Sequence, residues 1–205
     1  MTISRQWRTI APLPAFAALL LAPGLAIHYG LLPFDYRIPA LLLVSLLCIA
    51  ACFLAGFSCA ELGLGRPSFR EHWLFCGGVT AALAAIMVAQ TRLFTFDHQP
   101  PAWLSFAPFY VLVSSPCQEV VCRSIPKLMT DRLSTRASMR PWTYVLYSSL
   151  VFSLIHVAYG DGVLLINTFL VGVVWAFAYL RMRNIWPVIA SHAAIGVLAF
   201  SLGLA

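Results

Sequence analysis

Three ionisable side chains lie within long apolar stretches of this chain, and together they could hydrolyse an amide bond. Glu119 follows Gln118 in one apolar run, His156 ends the sequence Phe152-Ser153-Leu154-Ile155-His156, and His192 lies in the middle of the last run. A carboxylate and two imidazoles supply a general base and a proton shuttle, and a neighbouring amide or imidazole supplies a donor for an oxyanion. The set therefore predicts attack of an activated water on a carbonyl carbon.

A cation accompanies the carboxylate. Arg123 follows Glu119 by four residues, so on a helix the two side chains share a face and can form an ion pair. Such a pair taken alone is explained equally well by packing, and the two histidines favour a functional site. The same Glu and His residues would also suit a zinc site. We predict a site without a cofactor, and a zinc-dependent protease is an alternative.

The composition sets the environment of these residues. The chain has 205 residues, of which 61% are hydrophobic and 10% charged, and its mean hydropathy is +0.86. A soluble domain is roughly 45–50% apolar and about 25% charged. These values exclude a soluble globular protein, a disordered chain and a nucleic-acid binder. The net charge of +6 is typical of Lys and Arg in the cytoplasmic loops of a membrane protein.

Seven apolar runs predict an all-α, polytopic transmembrane bundle of about seven helices. We interpret residues 1–205 as a single integral membrane domain, with additional N-terminal helices in 1–103 and a motif-bearing core in 104–204. The runs lie at about 12–32, 38–60, 73–91, 104–126, 142–159, 163–180 and 185–204.

The distribution of basic residues predicts a cytoplasmic N-terminus and a C-terminus on the outside. With that orientation the outside loops contain only Arg37 and Arg92. This agrees with the rule that most Lys and Arg residues lie in cytoplasmic loops. The inside segments contain ten basic residues: Arg5, Arg8, Arg66, Arg70, Lys127, Arg132, Arg136, Arg140, Arg181 and Arg183.

The depth of each polar residue can be compared along its helix. Glu119 and His192 each lie eight residues from a basic turn, about 12 Å at 1.5 Å per residue, so they are expected to meet. His156 lies fifteen residues after Pro141, which places it about 10 Å further out on a straight helix.

The order of these residues resembles the CPBP family of intramembrane proteases, which includes CAAX prenyl proteases and bacteriocin-processing proteins. The family motifs are Glu-Glu-x-x-x-Arg, Phe-x-x-x-His and His-x-x-x-Asn/Asp on successive membrane helices. The matching segments here are Gln118 to Arg123, Phe152 to His156, and His192 to Gly196. The resemblance implies a metal-independent, glutamic-type endopeptidase. Its site residues would be Gln118, Glu119, Arg123, His156 and His192.

Two positions depart from the motifs, because Gln118 replaces the first glutamate and Gly196 replaces the Asn. In one interpretation Glu119 and His156 activate the water, Gln118 donates to the substrate carbonyl, His192 stabilises the oxyanion, and Arg123 holds the helix face in register. In a second interpretation the chain is an inactive binding or immunity protein. In a third, Gln118 is an isosteric replacement of a natural glutamate.

The resemblance also implies the surroundings of the reaction. We expect a multi-pass protein of the lipid bilayer, in a bacterial inner membrane, with no nucleic-acid partner. The expected substrate is a membrane-associated protein or peptide, either lipid-modified or carrying a C-terminal sorting sequence. A channel or transporter is less well supported, since the sequence shows no internal repeat.

Overall fold

The computed structural model describes residues 12–93, 103–133 and 140–204, and within these ranges it contains helices and turns and no strand. Seven helical segments are present in this part of the chain, as the apolar runs predicted. Arg5, Arg8 and Arg136 lie outside the described residues. The segments are α1 (Pro12–His28), α2 (Arg37–Leu54, after a 3-10 turn Phe34–Tyr36), α3 (a π-helical turn Phe69–Trp73 followed by Leu74–Leu93), α4 (described below), α5 (Arg140–Leu154, followed by a 3-10 turn Val157–Tyr159), α6 (Gly162–Met182) and α7 (Trp186–Ser201).

Four of these segments are long and apolar enough to cross a membrane, and the protein is an integral, multi-pass membrane protein. They are Phe34–Leu54, Phe69–Leu93, Arg140–Tyr159 and Gly162–Met182, and two shorter apolar helices are Leu13–His28 and Trp186–Ser201. Their outer surfaces carry large apolar side chains. Leu43, Leu47 and Leu54 of α2, for example, are 59%, 57% and 90% exposed. An apolar outer surface of this kind is suited to contact with lipid.

The helix α4 is irregular because prolines interrupt its hydrogen bonding. It consists of α-helical Trp103–Phe109, π-helical Tyr110–Ser114, α-helical Ser115–Glu119, π-helical Val120–Ser124 and α-helical Ile125–Leu133. Each π-helical stretch ends two residues before a proline, Pro116 or Pro126. A proline has no N–H and its ring collides with the carbonyl four residues earlier. A widened turn relieves that collision, and such turns are frequent at functional sites.

The second proline also creates a contact between α4 and α5. Pro126 cannot donate to the carbonyl of Cys122, four residues before it. That oxygen accepts a hydrogen bond from the Ser148 hydroxyl at 2.6 Å. The freed carbonyl therefore fixes α5 against the part of α4 that carries Glu119 and Arg123.

The helices α5 and α6 approach closely because glycine lies at their contact. A Cβ on Gly172 would lie 3.3 Å from the Phe152 ring and 3.3 Å from the Ser149 Cα. Phe152 thereby packs into the core beside Trp175 of α6, with the two rings 5.7 Å apart. This packing fixes the ring that contacts both histidines, as described in the next subsection.

The segments that the sequence assigned to the inside meet at one end of the bundle. Asp131 near the end of α4 forms ion pairs with Lys127 and with Arg183, the latter at 3.4 Å. Asn184 donates to the carbonyl of Gly65 at 2.7 Å. The α2–α3 connection, the end of α4 and the α6–α7 turn therefore lie together. Which side of the membrane they face stays a prediction from the charge distribution.

Candidate functional site

The centre of the site is a buried pair formed by a carboxylate of α4 and an imidazole of α7. His192 Nδ1 lies 2.9 Å from Glu119 Oε1, and their side chains are 3% and 0% exposed. The expected meeting of α4 and α7 at this depth is confirmed. A buried carboxylate in this position holds an imidazole in one orientation and one tautomer.

Arg123 binds the second oxygen of the same carboxylate. Its Nε lies 3.3 Å from Glu119 Oε2, and both side chains are fully buried. Its Nη1 donates to the Ser148 hydroxyl at 2.8 Å and to the Ser148 carbonyl at 3.2 Å. Its Cζ also lies 4.6 Å from the centre of the Phe152 ring. The predicted ion pair is present, and it balances the charge of the buried carboxylate.

Phe152 connects the two histidines. Its ring centre is 5.2 Å from that of His156 and 5.3 Å from that of His192, both in edge-to-face geometry. His156 Nδ1 lies 2.8 Å from the Phe152 carbonyl, one helical turn back along the chain. The side chain of His156 thus folds back onto Phe152 at the end of α5. The outward offset of His156 relative to Glu119 stays a prediction.

A cavity of about 350 Å³ adjoins this cluster. The side chains that line it come from all seven described helices and are mostly apolar. Four polar or aromatic residues near the cluster are among them: Tyr110, Gln118, His156 and His192. Glu119 and Arg123 do not line the cavity, because Glu119 faces His192 and Arg123 in the protein interior.

The contact of Glu119 bears on the pairing expected from sequence. The sequence analysis associated Glu119 with His156 for water activation, whereas the carboxylate contacts His192. Successive residues on a helix differ by about 100° in direction, so Gln118 and Glu119 cannot both face the cavity. The ion pair with Arg123 directs Glu119 inward, and Gln118 lines the cavity in its place.

One of the two polar atoms of the Gln118 amide forms a hydrogen bond, and the other does not. Its Nε2 donates to the Ser114 hydroxyl at 2.9 Å, one turn earlier on α4. Its Oε1 is buried without a hydrogen-bond partner among the described residues. The residue therefore presents hydrogen-bonding capacity to the cavity and cannot serve as a general base, since an amide does not take up a proton near neutral pH.

Two features of the site escaped the sequence analysis. Trp175 lies against His192 with ring centres 4.7 Å apart and planes 30° apart, and its Nε1 donates to the Ser191 hydroxyl at 3.0 Å. Thr80 of α3 donates to the same hydroxyl at 2.7 Å. The signal available in the sequence was the position of Ser191 directly before His192.

The second feature is the position of Tyr110. A Cβ on Gly196 would lie 1.9 Å from the Tyr110 hydroxyl oxygen, so the phenol occupies the space beside α7 at that position. The Tyr110 ring also contacts His192 edge to face, at 5.8 Å between centres. Nothing in the sequence connects residues 110 and 196, which lie on different helices.

The zinc alternative requires at least three protein ligands that lie close together. Across the three described ranges, no group of three or more His, Cys, Asp or Glu side chains is positioned to hold a metal ion. The predicted site residues that the structure brings together supply a carboxylate, a guanidinium, an amide and two imidazoles.

The fold and the site define a polytopic helical membrane protein in which a carboxylate–histidine pair borders an apolar cavity. Residues 100–198 match the family model described as type II CAAX prenyl endopeptidase Rce1-like. This part of the chain holds all five predicted site residues, and its resemblance to the CPBP proteases is confirmed. The matching family is one of CAAX-type membrane proteases. Neither the comparison with curated proteins nor that with solved structures gives a match.

Proposed function

We propose that this protein is an intramembrane endopeptidase that cleaves the C-terminal segment of a membrane-associated, lipid-modified protein. The observation that supports this most directly is the Glu119–His192 contact at 2.9 Å beside a cavity lined by Gln118 and His156. The match of residues 100–198 to a family of CAAX prenyl endopeptidases supports the same reaction class.

His192 is the proposed general base. A neutral His192 that donates from Nδ1 to Glu119 keeps the net charge of the buried Glu119–Arg123–His192 cluster at zero, which burial favours. Its Nε2 then carries a lone pair that accepts a proton from water. Glu119 is a positioning residue in this scheme, since it acts on water through His192.

The reaction proceeds by addition and elimination. Nε2 of His192 takes a proton from water as the water oxygen bonds to the carbonyl carbon, and the carbonyl oxygen becomes an oxyanion. The second N–H of the Gln118 amide, which does not bind Ser114, donates to that oxyanion. When the C–N bond breaks, the leaving nitrogen takes the proton from His192, and the carbonyl product forms as a carboxylic acid. The acid then gives its proton to the new amine, so the products leave as a carboxylate and an ammonium group.

His156 is assigned to proton transfer at the cavity. Because its Nδ1 lies against the Phe152 carbonyl, the proton is on Nδ1 and the Nε2 lone pair is free. These assignments exchange the roles expected from sequence, in which Glu119 with His156 activated the water and His192 stabilised the oxyanion. The reason is that Glu119 contacts His192 and does not line the cavity.

The substrate class follows from the lining of the cavity. Most residues of the lining are apolar, and the helices that form it carry exposed apolar side chains. Such a cavity favours an apolar chain, of which a lipid group attached near a C-terminus is an example. The similarity of residues 100–198 to CAAX prenyl endopeptidases supports this substrate class.

A second function is favoured by one specific observation. Gln118, which carries an amide, lines the cavity. The adjacent Glu119, which carries the carboxylate, faces His192 in the protein interior. A chain with no carboxylate in the cavity could bind an apolar peptide without cleaving it. This alternative retains the same ligand and removes the reaction.

Both candidates are tested with the purified full chain and a farnesylated peptide that ends in a CAAX sequence. We expect the unsubstituted chain to cleave the peptide. The cleavage rate is expected to fall at least about a hundredfold in His192→Ala and in Glu119→Ala. His28→Ala is the matched control, because His28 is an exposed histidine at the end of α1 that does not line the cavity.

The Gln118→Glu variant separates the two candidates. Cleavage by the unsubstituted chain establishes the protease. Binding without cleavage by the unsubstituted chain, together with cleavage by Gln118→Glu, establishes the inactive binding protein. Terminal-peptide proteomics on membranes carrying the same variants then identifies the natural substrate.

A further inference from the structure

A cation lines the same cavity and has no carboxylate partner among the residues that the structure describes. Arg37 is the first residue of α2 and contributes to the cavity lining together with His156 and Gln118. Within the described ranges, no Asp or Glu oxygen lies within 4 Å of its guanidinium, since the four ion pairs there involve other residues. Arg37 also lies outside residues 100–198, so the family match assigns it no role.

The guanidinium is held in one orientation by aromatic and backbone contacts. Its Nη1 donates to the Phe34 carbonyl at 3.1 Å, and its Cζ lies 4.0 Å from the Phe34 ring centre and 5.9 Å from that of Tyr159. The Phe34 and Tyr159 rings contact each other edge to face at 5.6 Å. Only part of the guanidinium's donor capacity is used in these contacts.

The unused edge has the geometry of a carboxylate receptor. Arg37 Nε is buried without a hydrogen-bond partner among the described residues. Nε and Nη2 form one side of the planar guanidinium, and such an edge binds the two oxygens of a carboxylate through parallel N–H···O bonds. The start of a helix also repels a cation and attracts an anion. An anion at this position would therefore satisfy both Arg37 and the first turn of α2, which contains no acidic residue.

The distance to the proposed reaction centre fits a short peptide. The Tyr159 ring, which lies near Arg37, is also 6.3 Å from the His156 ring. An extended chain advances roughly 3.3 Å per residue. Three or four residues therefore span the separation between the histidine and the guanidinium.

We propose that Arg37 binds the C-terminal carboxylate of the substrate through Nε and Nη2 and so fixes the number of residues between the cleaved bond and the chain end. This inference rests on the proposed function, because it concerns the substrate of the same site. It makes Arg37 a specificity-determining residue outside the part of the chain that matches the family.

The test compares two farnesylated CAAX-type peptides that differ only at the C-terminus, one a free acid and the other an amide. With the full chain in detergent, KM for the acid is expected to be about tenfold to a hundredfold lower than KM for the amide, the range of a charge-assisted hydrogen bond. In Arg37→Met the ratio of the two KM values is expected to fall to about one, because both peptides then lack the contact with the guanidinium. Arg37→Lys keeps part of the advantage. Arg92→Met is the control, because Arg92 is an exposed cation that does not line the cavity.

The outcomes separate this inference from the proposed function. If no peptide is cleaved, the same comparison is made by equilibrium binding of fluorescently labelled acid and amide peptides, and a preference for the acid that Arg37→Met removes still supports the inference. Equal affinity of the unsubstituted chain for the two peptides overturns it. An equal loss for both peptides in Arg37→Met also overturns it. Binding of the purified chain to anionic vesicles can be measured in the same way. If Arg37→Met weakens that binding and leaves the preference for the acid peptide intact, Arg37 binds a lipid phosphate and the inference is overturned.

Discussion

The hydroxyl oxygen of Tyr110 lies 1.9 Å from the point at which a Cβ on Gly196 would be placed. The two residues are on different helices, and Tyr110 begins the first π-helical stretch of α4. The phenol can approach the backbone of α7 only because residue 196 has no side chain. Since the Tyr110 ring also contacts His192, this close approach supports the position of the proposed base.

A side chain at position 196 is therefore expected to destabilise the protein. Gly196→Ala forces the Tyr110 ring or the α7 backbone to move, at a cost of about 1–3 kcal/mol for overpacking. The midpoint of thermal unfolding in detergent should fall, and peptide cleavage should fall with it. Gly78→Ala is the control, because a Cβ on that helical glycine would meet no atom within 4 Å. There the better helix propensity of alanine should leave stability unchanged or raised.

Removal of the phenol should make position 196 tolerant. In Tyr110→Ala the space beside α7 is open, so addition of Gly196→Ala should cost less than it does in the unsubstituted chain. A double-mutant cycle measures this coupling. If the loss of unfolding free energy in the double variant equals the sum of the losses in the two single variants, the contact between Tyr110 and residue 196 does not determine the cost of Gly196→Ala.

The buried ion pair gives a prediction about stability that is separate from activity. Arg123→Met leaves Glu119 buried and without its cation, and loss of one partner of a buried pair costs about 3–5 kcal/mol. Glu119→Gln combined with Arg123→Met removes both charges, so unfolding measurements should show a recovery of stability. Peptide cleavage should stay absent in the double variant, because the carboxylate that orients His192 is missing.

The exposed ion pair at the basic end of the bundle is the matched control for this experiment. Arg183 is 55% exposed where it meets Asp131, and pairs of this kind contribute about 0–1 kcal/mol. Arg183→Met should therefore change the unfolding midpoint little. A destabilisation by Arg123→Met as small as that of Arg183→Met would contradict the inferred role of the buried charge pair.

Much of the fold was predictable because membrane crossing demands long apolar stretches and compensated charges. The seven runs gave the seven helical segments, and the spacing of Glu119 from Arg123 gave the ion pair. Equal distances of Glu119 and His192 from the basic turns correctly predicted that they meet. These features depend on periodicity and length within single helices.

The remaining features depend on contacts between helices, which spacing along one helix does not encode. The direction of Glu119 toward His192 depends on how α4 rotates through two π-helical stretches, and a regular helix would not give that rotation. The return of the His156 side chain toward Phe152 depends on where α5 ends. The approach of Tyr110 to Gly196 required the packing of α4 against α7.

Ser191 is expected to affect catalysis through the orientation of its neighbour. Its hydroxyl accepts from Trp175 Nε1 and from Thr80, and Trp175 lies against the His192 ring. Ser191→Ala leaves the buried indole N–H without its partner, which costs about 1–3 kcal/mol. We expect kcat for peptide cleavage to fall and KM to stay nearly constant, because the substrate cavity is unchanged.

Ser201→Ala is the control for this prediction, since that exposed hydroxyl only donates to a carbonyl of its own helix. A rise in KM at constant kcat would instead indicate that Ser191 shapes the binding cavity.

Phe152 should be required for activity because a single ring contacts both histidines and the guanidinium of Arg123. Phe152→Leu keeps an apolar side chain in the core and removes the flat surface that holds the two imidazoles. Misplacement of reacting groups by about 1 Å can cost a hundredfold in rate, so peptide cleavage should fall by about that factor while the protein still inserts and folds. Phe177→Leu is the control, because Phe177 is 41% exposed and its ring contacts Trp142 at 5.6 Å, away from the cavity. Retention of full activity by Phe152→Leu would show that the histidines are positioned by Glu119 and the Phe152 carbonyl alone.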